Sequence, residues 1–515
     1  MNNVIRGTVA MAALAASLLT SGAAAQPSAG HDRCADLADE RRDIEAFIQR
    51  IHSLAFAGTK APGLAVGIVV GDCQLLVKGV GYADQERGRA ISSDTLFYIA
   101  STTKPFLALQ AALLERGQRI QLDAPIGRYL PALRLHAPLD PNAITLRSLL
   151  THQHGISNPG PVFFRTALSG QHRPDQLIRL MAKHKPAAYG TAFGYTNIGY
   201  NLVGFALDGL FGRSWKDDLT SSVLLPADMR RTSPHFSRVE ATLLAQPYFF
   251  DGAGYSRLHY AKNDTNMHAA GGLLSSAADL AKFLEIQMNE GRLDGRQVFP
   301  ASVIAETHRS MVSQSAEAGA FSKHGYGLGW DLATYAGEEV IQHNGGFSAF
   351  NAQLSFMPKR RFGVVVMANE ASMGGGAAAA VVEYAYDRLL RLPGLAEKWN
   401  ARLTQLPDII AATKQRIAAE LTRRAARPKL MNRPLAAYAG NFENDDWGRI
   451  TTRLQGGRLI LTLGALRSEA EVQDPSKEMM RVELIPPQGE AVSFEFEGAR
   501  AASIRYAGNV FRRVR

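Results

Sequence analysis

Thr95-Leu96-Phe97-Tyr98-Ile99-Ala100-Ser101-Thr102-Thr103-Lys104 runs through Pro105 into an apolar stretch at 106–114, closed by Gly117. The stretch predicts a helix, and Pro105 is tolerated only in a first turn, so Ser101 sits at or just inside the helix start. Backbone N–H groups there lack intrahelical acceptors, and the positive end of the dipole favours a developing negative charge. Positions i and i+3 share a helix face, which lets the Lys104 amine reach the Ser101 hydroxyl. An unassisted serine is a poor nucleophile at neutral pH. A lysine can take its proton only if burial or neighbouring cations bring its pKa well below ~10.4. Taken alone, a Ser-x-x-Lys reads as a capping serine beside a solvated lysine; here it is the only such tetrapeptide in the chain.

Upstream of this stretch, residues 41–56 have helical apolar spacing. Two β-rich runs, 64–70 and 75–77, flank the turn signal Gly71-Asp72. Downstream, as far as about Trp330, helical patterns alternate with irregular loops. Apolar strands at 352–357 and 362–368 then follow, joined by Pro358-Lys359-Arg360-Arg361, and a helix is expected over 377–392. Strands, a long helical insertion, then strands again predict an α/β sheet whose first and last elements lie together. A charged helical connector at 397–427 leads to short β-type runs with Gly456-Gly457 in hairpin position, expected to form a small antiparallel barrel or sandwich. The 515 residues thus divide into a leader at 1–25, a main domain at 40–395, a helical connector at 396–433 and a β-rich domain at 434–515.

With 46% hydrophobic and 20% charged residues, the composition excludes a disordered chain and a membrane bundle. Met1-Asn2-Asn3-Val4-Ile5-Arg6, an apolar run at 9–19 and Ala23-Ala24-Ala25 have the parts of a secretory signal cleaved after Ala25. The run is shorter than the ~20 residues a membrane span needs. A periplasmic or secreted protein without a membrane span is expected. In such a compartment Cys34 and Cys73 either pair or stay as two thiols, and the sequence leaves both open. The net charge is +10, but the basic residues are scattered, so no nucleic-acid partner is expected.

Two further groups of residues carry chemistry. In Gly194-Tyr195-Thr196-Asn197 a phenol can relay a proton and an amide can bind a substrate amide. In Gln342-His343-Asn344-Gly345-Gly346 the glycines permit close approach of backbone to substrate, and the N–H of Gly346 with that of Ser101 could hold an oxyanion. His152 and His154 have no nearby Cys or carboxylate to complete a ligand set, so structural roles, no metal and no cofactor are expected. Gly-x-Ser-x-Gly is absent, against an α/β-hydrolase. Gly374-Gly375-Gly376 lacks the context of a phosphate loop and reads as a flexible turn.

In order and spacing these motifs resemble the serine β-lactamase and penicillin-binding protein family, especially its class C β-lactamase and D-alanyl-D-alanine carboxypeptidase branch with esterase and peptidase relatives. Similar stretches are Leu149-Leu150-Thr151-His152, Ala270-Gly271-Gly272-Leu273 and Tyr326-Gly327-Leu328-Gly329-Trp330, and the likeness covers residues 63–390. The resemblance implies an antiparallel sheet flanked by helices with a mainly helical lobe, followed here by a lipocalin-like all-β tail. It implies an acyl-enzyme on Ser101, general acid and base work shared by Lys104 and Tyr195, and substrate contacts from Asn197, His343, Asn344, Gly345 and Gly346. The expected function is an exported serine hydrolase cleaving an amide or ester of a small molecule, peptide or cell-wall fragment. The alternative is a penicillin-binding receptor that acylates once and turns over little. Two departures stand out. His343-Asn344-Gly345 replaces Lys-Thr-Gly, and His154 stands where a small hydroxyl residue is usual. If His343 binds a substrate carboxylate as imidazolium, affinity should strengthen as pH falls from about 8 to 6.

Overall fold

The computed structural model describes residues 34–56, 60–188, 190–486 and 488–515. The expected leader and its cleavage site after Ala25 lie outside the described residues. Helix α1 (Ala38–Ala55) precedes strands β1 (Leu64–Val70) and β2 (Cys73–Val80). Helices α2 (Lys104–Arg116), α3 (Ile198–Phe211) and α4 (Ala277–Met288) follow. Next come strands β3 (Val312–Ala318), β4 (Phe321–Tyr326), β5 (Asp331–Tyr335), β6 (Glu338–Phe347), β7 (Phe350–Met357) and β8 (Phe362–Ala368). Helices α5 (Gly374–Leu389) and α6 (Leu395–Ala425) complete this part.

The eight strands form one antiparallel sheet in the order β3-β4-β5-β6-β7-β8-β1-β2, so the early hairpin closes onto the late one, with Leu64 opposite Ala368. Every residue of β1 is buried, which is why its sequence is continuously apolar instead of alternating. Leu64, Val66, Ile68 and Val70 pack into the layer of α1 and α5. Ala65 and Val69 face the layer of α2 and α4. On that second face a Cβ at Gly67 would lie 2.8 Å from Val365 Cγ1 and 3.2 Å from the Ala277 carbonyl oxygen, so the start of α4 rests directly on the strand. Truncating a side chain such as Ile68 to Ala would cost about 2–5 kcal/mol.

The sheet departs from the sequence expectation in its first strands. β3 and β4 lie in a region read as helices and loops; β3 is a polar edge strand, Val-Ser-Gln-Ser-Ala-Glu-Ala, with no apolar face to announce it. Gly374-Gly375-Gly376 is not a flexible turn but the first turn of α5. The Glu370 carboxylate accepts the N–H groups of Met373 (2.6 Å) and Gly374 (3.1 Å), capping the helix that the glycines alone would disfavour. Cys34 and Cys73 form a disulfide that ties the segment ahead of α1 to the start of β2.

Residues 440–514 form nine antiparallel strands in one continuous, nearly closed barrel around Phe442, Ile450, Leu461, Val492, Ile504 and Phe511. Its turns dock on the helical lobe. Buried Arg165 donates to the backbone oxygens of Asp446 (2.6 Å) and Asp445 (2.9 Å). Ala465 N donates to Ser169 O (2.8 Å), and Ser348 Oγ, just beyond β6, donates to Pro486 O (2.9 Å). Among the described residues no helix is long and apolar enough to cross a membrane.

Candidate active site

Ser101 lies in a 3-10 turn, Ala100–Thr103, directly ahead of α2. Ile99 N donates to Leu273 O (3.1 Å) and Leu273 N to Thr103 Oγ1 (3.1 Å), fastening the turn to the segment beginning at Ala270. That segment needs Gly272, where a Cβ would lie 2.4 Å from Met267 C and 2.6 Å from His268 N. Ala100 holds φ +46°, a left-handed conformation that costs an alanine about 1–2 kcal/mol. The surrounding hydrogen bonds hold this strain next to the serine.

α2 is buried nearly all round, and Lys104 with it, at 0% exposure. Its Nζ lies 3.1 Å from Ser101 Oγ, 2.9 Å from Asn197 Oδ1 and 2.8 Å from Ala270 O. Burial holds the amine well below the ordinary lysine value, and the negative field of Asp331 acts in the opposite direction. A neutral amine has two N–H bonds and one lone pair. The two carbonyl-type oxygens can only accept, so each takes an N–H, and the lone pair is left facing the Ser101 hydroxyl. The same contact orients Asn197, since an oxygen bound to Lys104 turns the amide NH2 away from it.

Tyr195 stands on the other side of the amine, with Lys104 Nζ 4.7 Å from its ring centroid and its hydroxyl in interaction with Ser101. The residue keeps 45% of its surface exposed, so it forms the mouth of the site while the hydroxyl sits at depth. Desolvation there raises its pKa and keeps the phenol protonated at neutral pH. Tyr200 and Tyr326 complete an aromatic wall behind it; Tyr200 donates to Leu150 O (2.8 Å).

β6 lines the opposite side. It pairs with β5 only over Glu338–Gln342, whereas its pairing with β7 extends over Ile341–Phe347, so its second edge is free of any strand beyond Gln342. That edge runs beside the serine turn, where Thr102 Oγ1 donates to His343 O (3.3 Å). A Cβ at Gly345 would lie 2.0 Å from Ile99 O and 3.0 Å from the Ser101 and Thr102 nitrogens, so only glycine permits this approach. Gly346 is exposed and open. Alternation along the strand puts Asn344 on the opposite face, exposed, so its side chain is not brought to Ser101.

His343 is near the site without opening into it. Its centroid is 6.0 Å from that of Tyr195, but only 2% of the residue is exposed, and Nδ1 contacts its own neighbour's Asn344 O at 3.0 Å. Burial brings its pKa down to about 3 against the field of Asp331. The expected gain in carboxylate binding between about pH 8 and 6 is therefore withdrawn, because the ring stays neutral throughout that range.

Two contributions were not read from the sequence: the Ala270 carbonyl, although its stretch was noted, and Asp331. Ala270 acts through its backbone carbonyl, which has no residue signature. Asp331 lies buried, holding Gln314 Nε2 and Lys323 Nζ at 2.8 and 2.7 Å. Among the described residues no group of three or more His, Cys, Asp or Glu is arranged to hold a metal ion.

A sequence model of the Beta-lactamase family matches residues 41–386, more than half of the chain. The chain is 26% identical over 417 residues to "Unguisins hydrolase ungD'" of Aspergillus campestris, covering 76% of this chain and 74% of that protein. Among solved structures, the octameric penicillin-binding protein homologue from Pyrococcus abyssi has a TM-score of 0.57 at 21% identity, covering 91% of this chain and 99% of that one. The D-amino acid amidase of Ochrobactrum anthropi SV3 also has 0.57, at 19% identity, covering 70% of this chain and all of that one at 100%. These structures share the fold, and the family match over the sheet and helical lobe identifies this chain as a member of the Beta-lactamase family.

Proposed function

We propose that this protein is a serine hydrolase that passes the acyl group of an uncharged ester or amide first to Ser101 and then to water. The observation that carries the reading is the buried Lys104 amine, whose Nζ lies 3.1 Å from Ser101 Oγ, 2.9 Å from Asn197 Oδ1 and 2.8 Å from Ala270 O; deprotonated, it gives its two N–H bonds to the last two and turns its lone pair to the hydroxyl. As Oγ attacks the carbonyl carbon, its proton passes to Lys104 Nζ. The N–H groups of Ser101 and Gly346 bind the tetrahedral oxyanion, and the Tyr195 phenol protonates the leaving amine or alkoxide. Water then attacks the acyl-serine with its proton drawn into the same lysine–tyrosine pair, and Ser101 leaves protonated. An extended substrate lies along the free edge of β6, with its acyl-side amide on Asn197 Nδ2.

The substrate class follows from what faces that edge. A buried, neutral His343 offers no cation to a carboxylate, so uncharged esters and amides are favoured over carboxylate-bearing β-lactams. The relatives named for hydrolysis of unguisins and of D-amino acid amides agree with an amide or ester substrate. Export follows from the leader at 1–25 and remains part of this proposal.

The test is turnover of p-nitrophenyl esters, D-amino-acid amides and nitrocefin by the native protein and by Ser101→Ala. The variant is expected to lose about 10³-fold or more in kcat. Undiminished turnover by a folded Ser101→Ala protein would remove the nucleophile. A native protein that stops after one equivalent is a receptor, not a hydrolase, and nitrocefin turnover above that of the esters would reverse the proposed substrate order.

A further inference from the structure

Tyr195 and Asn197 sit in a loop ahead of α3, yet both must hold their positions over Ser101 and Lys104 to act. The turn at 151–155 supplies the hold. Gly194 N donates to His152 O (3.0 Å), and Thr196 N donates to His152 Nδ1 (3.4 Å), so His152 bonds the backbone on both sides of Tyr195. Its ring centroid lies 4.6 Å from that of Tyr195. A third contact joins Thr196 Oγ1 to His154 Nε2 at 3.2 Å.

The tautomers follow from the partners. Ile156 N donates to His154 Nδ1 (3.0 Å), so in the neutral ring the hydrogen is on Nε2, which donates to Thr196 Oγ1. His152 Nδ1 is likewise an acceptor, so its hydrogen is on Nε2. That atom is buried without a polar partner among the described residues, enclosed by the rings of Phe193, Tyr195, Tyr200 and Tyr326. His152 gives up a hydrogen bond at Nε2 while its Nδ1 serves Thr196. His152 also holds φ +61°, which places ring and carbonyl toward the same loop. A Cβ at Gly199 would lie 2.4 Å from Leu149 O and 3.0 Å from His154 Nε2, so the first turn of α3 sits directly on the turn that carries the histidines.

We propose that His152 and His154 form a two-point clamp on Thr196 that positions the Tyr195 phenol and the Asn197 amide over Ser101 and Lys104. Both are positioning residues, and the inference rests on the acyl-serine reading above. The clamp works with neutral imidazoles, since a proton on His152 Nδ1 would meet the Thr196 N–H head on.

Steady-state kinetics of the full chain on p-nitrophenyl acetate test it. His152→Leu removes the acceptor, His152→Asn restores one, Thr196→Val removes only the hydroxyl, and Thr196→Ser restores it. Because the clamp acts through an acid–base group, His152→Leu is expected to lower kcat about 30- to 100-fold with KM within about threefold, and His152→Asn to recover most of the loss. Thr196→Val should lose about five- to tenfold in kcat, with Thr196→Ser near native. Native kcat in His152→Leu and Thr196→Val, losses confined to KM, or a His152→Asn as poor as His152→Leu would overturn the clamp. Should His152→Leu fail to fold, the Thr196 pair decides alone. Ser101→Ala assayed alongside separates the two claims: an active Ser101→Ala refutes the acyl-serine reading, whereas an inactive one beside fully active Thr196→Val refutes the clamp only.

Discussion

Lys104 and Lys262 are both buried, at 0% and 4% exposure, and burial holds both amines well below the ordinary lysine value. Each also lies over two aromatic rings: Tyr195 and Tyr200 at 4.7 and 5.5 Å for Lys104, Phe347 and Tyr98 at 3.8 and 4.5 Å for Lys262. The difference is in the polar partners. Lys262 donates to Ala167 O at 2.8 Å, bracing the segment on which the barrel docks. Lys104 instead has two carbonyl-type acceptors, Asn197 Oδ1 and Ala270 O, and a serine hydroxyl as a third partner. Desolvation lowers the proton affinity of both amines, but only the arrangement of acceptors around Lys104 suits the proposed base.

Lys104→Met and Lys262→Met break this comparison most directly. The first is expected to cost about 10³-fold or more in kcat/KM for an ester, the second about threefold or less. Equal losses in folded proteins would show that the two amines are not divided between chemistry and support. Asp331→Asn sharpens the comparison. Its charge raises the proton affinity of Lys104, so its removal should move the acid limb of kcat/KM to lower pH, as read from a pH–rate profile. A limb that stays in place or moves up would remove Asp331 from the electrostatics of the base.

The smallest effect is one that both lysines should share. Each binds a proton in the unfolded chain up to about pH 10.4 but releases it at lower pH when folded. Between the depressed folded value and ~10.4 the unfolded state holds more protons, so each lysine makes stability rise with pH across that window. Either methionine variant should flatten this rise in urea titrations run at a series of pH values. A flattening by Lys104→Met alone would mean that Lys262 keeps its proton in the folded protein.

The sequence made Ser101 and Lys104 legible because their relation is local: one helical turn and one proline fix it. Tyr195 and Asn197 were legible as residue types able to do the work, but their meeting with Lys104 depends on a turn some forty residues earlier and on α3. Ala270 O could not be read, since any residue carries a carbonyl, and nothing in the sequence singles out Asp331, which strand pairing buries. The fold divides in the same way. β1 and β8 are apolar because both faces are covered, whereas the polar edge strand β3 takes its conformation from β4. His343 was recognised as a departure, but whether it carries charge was decided by burial that no spacing reveals.

The joining of β1 to β8 also has a consequence for how the protein is made. Gly63 N donates to Asn369 Oδ1 across a separation of 306 positions, so β1 waits for a partner, β8, that is synthesised much later. Contacts this distant in sequence form slowly. By then the lobe between β2 and β3 is already available, including the Ser101 turn, but β6 and its free edge come afterwards. A nascent chain therefore carries the proposed nucleophile before it has a groove to present a substrate, and on that proposal competence arrives only when the sheet closes.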